Sequence, residues 1–167
     1  MNETLNKTFN GDGLAVEEYY REKFLFDNKE LVSRATIINN INELVGLPDN
    51  SMNCIFSDGL LNENYDYLHV VEHFKRVLSP TGTAMCFATS IVPISSEKRL
   101  WGFTVASMYY IFGKYFNQED IKVQHYGNVL AGRLLLSRVS VDSITSRKID
   151  QPDLFFPVAI GIIVTKK

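Results

Sequence analysis

Three clusters in this chain of 167 residues carry side chains able to do chemistry. Ser57-Asp58-Gly59 follows the apolar run 53–57, so it falls just past the end of an expected core strand, where open α/β sheets bind ligands. The plainer reading there is a turn with a capping Asp. His125, Tyr126 and Asn128 form the second cluster. In a transferase His125 would be the candidate base, because an imidazole titrates near neutrality; the plainer reading is a surface turn. Trp101 and Phe103 are the third. Their rings can line an acceptor pocket by stacking on a sugar or another ring, or they can cover the core.

A fourth pattern, His69-Val70-Val71-Glu72-His73, has the spacing with which two histidines on one helix face share a zinc ion. No downstream acidic third ligand on a helix is apparent, so no metal is expected. Cys54 and Cys86 fall on two expected neighbouring strands. They read as small buried residues in a reducing compartment rather than as a redox pair.

The elements that must position these residues centre on the stretch 47–89. Pro48-Asp49-Asn50-Ser51 introduces a buried strand over 53–57. Over 66–78 the apolar residues Leu68, Val71, Phe74, Val77 and Leu78 recur at helical spacing, leaving Glu72, Lys75 and Arg76 to water. Pro80 and Gly82 are expected to end that helix and turn the chain into a second buried strand over 83–89, one complete crossover of a parallel sheet. Upstream, residues 1–13 read as a mobile tail, 14–26 as a helix, 29–33 as a short helix and 35–38 as a brief strand. Downstream, 90–100 reads as a polar loop and 103–115 as an aromatic-rich helix capped by Thr104. A strand over 121–125, a helix over 129–138, a polar connection over 140–152 and a last strand over 158–165 complete the reading. Residues 14–167 are therefore expected to form a single domain.

Three segments in series carry a family resemblance. LPDNSMNCI, the helix ending KRVLSPTG, and the small-residue strand after it resemble the second half of class I S-adenosylmethionine-dependent methyltransferases. WGFT at 101–104, YGNVLAG at 126–132 and DLFFPVAI at 153–160 resemble segments of a branch of that family often encoded beside glycosyltransferases. The resemblance covers residues 35–167. It implies a truncated Rossmann-like sheet, mostly parallel, with an antiparallel C-terminal strand. It also implies S-adenosylmethionine as cofactor and a glycan or small hydroxyl acceptor. In that reading the loop at Ser57 borders the transfer site, with Asn40 and Ser57 on the cofactor side. Asp58 and His125 become the catalytic candidates, and Trp101, Phe103, Tyr126 and Asn128 the substrate-binding ones.

The sequence also departs from the family pattern. A glycine-rich turn after a first strand is not found, since Gly11 and Gly13 follow no strand; Asn40 stands where an acidic residue usually meets the adenine, and Asn53 where an Asp opens the fourth strand. These departures imply a domain degenerate in cofactor binding, or a non-catalytic module that pairs with another protein. With its first two strands missing, the sheet would have a bare edge, to be covered by the strand 35–38, by the N-terminal helix or by a second copy of the chain.

Composition is that of an ordinary globular protein, with 46% apolar and 22% charged residues. A net charge of −2 without a basic cluster argues against nucleic-acid binding. The longest apolar run, 154–164, is about half of a membrane span. No secretory signal and no membrane partner are expected, and the cytoplasm is the expected location.

Overall fold

Local sequence explains the central unit first. In the computed structural model, which describes residues 16–91, 99–137 and 146–167, strand β2 (Met52–Asp58) leads through α4 (Leu60–Glu63) and α5 (Tyr67–Val77) to β3 (Leu78–Thr89). The two strands are parallel neighbours, with Cys54 beside Thr83 and Asp58 beside Phe87. Asp66 caps α5 by accepting from the His69 amide at 3.0 Å, and Val70, Val71, Phe74 and Val77 form its buried stripe.

Two local readings are revised. Pro80 and Gly82 do not make a separate turn: β3 starts at Leu78, directly after α5, and absorbs them as an irregularity of register between Met52 and Cys54. Thr81 there takes a left-handed φ of 65°. Lys166 holds the irregular end, its amide donating to Gly82 and its Nζ to the Leu78 carbonyl at 2.7 Å. Arg76 does not simply face water. Its guanidinium donates to the carbonyls of Leu44, Val45 and Leu47 and pairs with Asp49 at 2.6 Å, satisfying the C-terminal end of helix α3 (Ile41–Gly46).

The sheet has five strands. β1 (Thr36–Ile38) pairs parallel with the outer side of β2. β5 (Ala159–Thr165) runs antiparallel between β3 and β4 (Ile121–Tyr126), giving the order β1-β2-β3-β5-β4. The brief strand 35–38 thus takes the place beside β2. Along β3, Ala84, Cys86 and Ala88 enter one core while Met85 and Phe87 enter the other, the alternation of a strand covered on both faces.

One face is covered by α3, α5 and α6 (Val105–Phe112), the last opened by a reciprocal cap between Thr104 and Ser107. The other is covered by α1 (Val16–Asp27) and α7 (Val129–Leu136), with α2 (Lys29–Val32) and α8 (Ser146–Ile149) at their margins. Val16, Tyr20 and Phe24 form the buried stripe of α1, spaced four apart. Phe24 packs within 5.8 Å of the Phe87 ring and 6.2 Å of the Phe56 ring, seated over Gly161, where any Cβ would overlap its ring. Among the described residues no helix is long and apolar enough to cross a membrane. The expected tail 1–13, most of the loop 90–100 and part of the connection 140–152 lie outside the described residues.

Candidate functional site

Asp58 closes β2, and Gly59 follows with a φ of 68°, its amide donating to the Phe87 carbonyl, so the chain leaves the sheet at the carboxyl ends of the parallel strands. Arg21 of α1 reaches this point and donates from Nη1 to Asp58 Oδ2 at 3.4 Å, while its Nη2 meets Glu18 and Glu22 at the same distance. Burial raises the Asp58 pKa above its ordinary value, against the opposing pull of Arg21 and Arg99. Arg99 donates to Thr89 Oγ1 at 3.0 Å and pairs with Glu17. Through Arg21 and Glu17, one helix therefore grips the ends of two strands.

A residue that sequence reasoning missed fastens the same corner. Asn62, wholly buried in α4, donates from Nδ2 to the carbonyls of Thr89 at 3.0 Å and Trp101 at 2.7 Å, and its Oδ1 accepts from the Thr89 amide. Its backbone carbonyl takes the amides of Leu100 and Trp101. The available signal was an Asn inside the apolar run Leu60-Leu61-Asn62, where an unbonded amide would be costly.

The two residues assigned to the cofactor side have internal partners. Asn40 caps α3: its Oδ1 accepts from the Glu43 amide at 3.0 Å and its Nδ2 donates to the Glu43 carboxylate at 2.6 Å. Ser57 is 1% exposed, with its Oγ 2.9 Å from Cys86 Sγ, a thiol that burial pushes up to about 12. The Asn40 amide and the Ser57 hydroxyl thus each have a partner within the chain, Asn40 at the exposed surface and Ser57 in the core.

His125 and Asp58 are far apart. Asp58 lies beside Phe87, Phe87 beside Gly161 and Gly161 beside Gln124, so three strand spacings, roughly 14 Å, separate Asp58 from the His125 neighbourhood. His125 instead lines a shallow cleft of about 350 Å³ between β4 and α1, with Lys23, Asp27, Gln124 and Asp150 around it. The Tyr126 hydroxyl lies 3.4 Å from Asp27 and 3.3 Å from Gln124; burial and the Asp27 carboxylate raise its pKa. Lys23 pairs with Asp150 at 3.1 Å, and Asp150 also accepts from Tyr19. Asn128 sits outside this cleft's lining. It caps α7 and donates to the carbonyls of Lys148 and Gln151 at 2.9 Å, fastening the connection before β5.

Trp101 and Phe103 flank Tyr67 edge-on at 5.3 and 5.7 Å. Phe103 is core at 4% exposure, whereas Trp101 is 38% exposed and tethered by Nε1 to the Asn64 carbonyl. On α5, the Nε2 atoms of His69 and His73 lie 2.9 Å apart. Arg76 can only donate, so His73 accepts at Nδ1 and directs its own proton at His69. Burial first, then His69 and Arg76, lowers the His73 pKa. Among the described residues no three His, Cys, Asp or Glu side chains are placed to hold a metal ion.

No protein-family model and no curated protein matches the sequence. Solved structures do match. An S-adenosylmethionine-dependent methyltransferase from Archaeoglobus fulgidus is 11% identical over 75% of this chain and 64% of its own, with a TM-score of 0.50. The phosphoethanolamine N-methyltransferase 2 of Haemonchus contortus, solved with phosphomonomethylethanolamine and S-adenosylhomocysteine, is 13% identical over 72% of this chain and 34% of its own, at 0.47. A possible histamine N-methyltransferase from Thermotoga maritima is 15% identical over 73% and 59%, at 0.46. This chain thus spans between about a third and two-thirds of their lengths. Its fold is the α/β fold of S-adenosylmethionine-dependent methyltransferases, with a mostly parallel sheet and one antiparallel strand.

Proposed function

We propose that this methyltransferase-fold domain is degenerate in cofactor binding and acts by holding an acceptor-like ligand, a glycan or another small hydroxylated molecule, in the cleft beside β4. The observation that supports this most is the engagement of Asn40 by Glu43, Ser57 by Cys86 and Asp58 by Arg21, which gives each candidate on the cofactor side a partner within the chain. In the cleft, His125 is half-buried without a side-chain partner among the described residues, and Gln124, Asp27, Lys23 and Asp150, though paired with Asn28, Tyr126 and each other, add donors and acceptors suited to hydroxyl groups.

Calorimetric titration with S-adenosylmethionine is the direct test. The expected result is no binding tighter than about millimolar, roughly 4 kcal/mol; a micromolar Kd would overturn the reading. A catalytic role, with Asp58 assisting an acceptor hydroxyl, is the second reading, supported by the burial that raises its pKa at the carboxyl end of β2. Tight cofactor binding lost in Asp58→Asn would favour it. The outer edge of β1, with Ile37 60% exposed, suits pairing with a second copy or a partner protein, which sedimentation of the purified chain would detect.

A further inference from the structure

Three consecutive apolar side chains stand out from the segment before β5: Leu154 at 55%, Phe155 at 84% and Phe156 at 54% exposure. Scattered exposed apolar residues need no explanation, but a contiguous group on a fixed backbone does. This backbone is fixed. The Asp153 amide donates to the Gly127 carbonyl at 2.9 Å, Phe155 N to Asp153 Oδ1 at 2.9 Å, Phe156 N to the Asp153 carbonyl at 3.2 Å, and Val158 N to the Tyr126 carbonyl at 2.8 Å. A loop held this tightly could turn the rings inward if packing favoured it, yet it presents them to solvent.

The charge around the loop indicates what it meets. Asn128 ties the start of α7 to Lys148 and Gln151, which brings Val129, itself 49% exposed, and the exposed Lys148 to the same margin as the loop, with Arg133 one turn along α7. Neither Lys148 nor Arg133 forms an ion pair among the described residues. Of the nearby carboxylates Asp150 is paired with Lys23, while Asp153 accepts the Phe155 amide and keeps its charge, which leaves the two cations in excess by one. The result is an apolar knuckle flanked by two cations that form no ion pair among the described residues.

We infer that this margin docks on an anionic lipid surface, with Phe155 and Phe156 entering the headgroup boundary while Lys148 and Arg133 meet lipid phosphates. A second copy fits less well. Isologous packing of the patch on itself would set like charges together, and three side chains offer far less than the roughly 1,200 Å² of a stable protein interface. The expectation of no membrane partner rests on the lack of a spanning run, and a peripheral contact needs none. The inference is independent of whether the domain binds a cofactor.

Co-sedimentation of the full chain with vesicles of phosphatidylcholine alone, and of phosphatidylcholine mixed with phosphatidylglycerol, tests it. Binding to the anionic vesicles is expected, weakened by salt and about tenfold or more by Phe155→Ser, a change whose thermal unfolding should match that of the unchanged chain. Lys148→Glu should weaken it about fivefold or more, because each surface cation contributes comparably. Three outcomes would overturn the proposal: no binding to either vesicle, equal binding to both, or a dimer in sedimentation that Phe155→Ser abolishes.

Discussion

The carboxyl end of β2 and the cleft beside β4 use similar residue types to opposite effect. At the first, Arg21 pairs with Asp58, Arg99 with Glu17, and Asn62 with the backbone of Thr89 and Trp101, and α1 lies across the strand ends. At the second, His125 and Gln124 stand at a concave margin beside the same helix, with Lys23 and Asp27 facing them. A polar group bonded inside the fold specifies position, whereas one left at a wet margin can exchange water for a ligand. At the corner where open sheets bind ligands, the side chains of this chain are therefore cross-linked to one another by Arg21 and Arg99.

The comparison breaks most severely if α1 loses its anchor. Phe24→Ala removes a wholly buried ring from between Phe56 and Phe87, and should cost about 3–5 kcal/mol in urea unfolding, loosening the grip on Asp58 with it. Asn62→Ala should follow at about 2–3 kcal/mol, because the Thr89 amide and the Trp101 carbonyl lose a buried partner; the same unfolding measurement checks it. A smaller effect concerns protons. Burial raises the Asp58 pKa, so the folded chain holds this proton more tightly than the unfolded chain does. Stability should therefore decline as pH rises from the ordinary 3.8 through the raised value, and Asp58→Asn should flatten that segment of the profile. At the open margin, His125→Ala should change stability by less than about 0.5 kcal/mol while weakening whatever hydroxylated ligand the cleft takes, a contrast read by pairing thermal unfolding with ligand titration.

The crossover from β2 to β3 was legible because its signals are local: strand-length apolar runs, a helical stripe, and an Asp before the helix. The same local rules misread Pro80 and Gly82 as a turn, since only the Lys166 contacts reveal that the strand carries through them. Asp58 could be placed at a strand end from sequence, but its pairing with Arg21 could not, because 37 residues and a whole layer of the fold separate the two. Asn128 looked like a ligand-binding side chain from its neighbours His125 and Tyr126. Its capping of α7 depends on where that helix begins, to within one residue.

The seat that Gly161 provides for Phe24 also governs the order of assembly. The helix that covers one face of the sheet is synthesised early, and the bare backbone it must rest on emerges from the ribosome much later. Until then its aromatic stripe has no partner in β5, so this half of the molecule closes only once the last described strand has been made, a long-range step of the kind that slows folding.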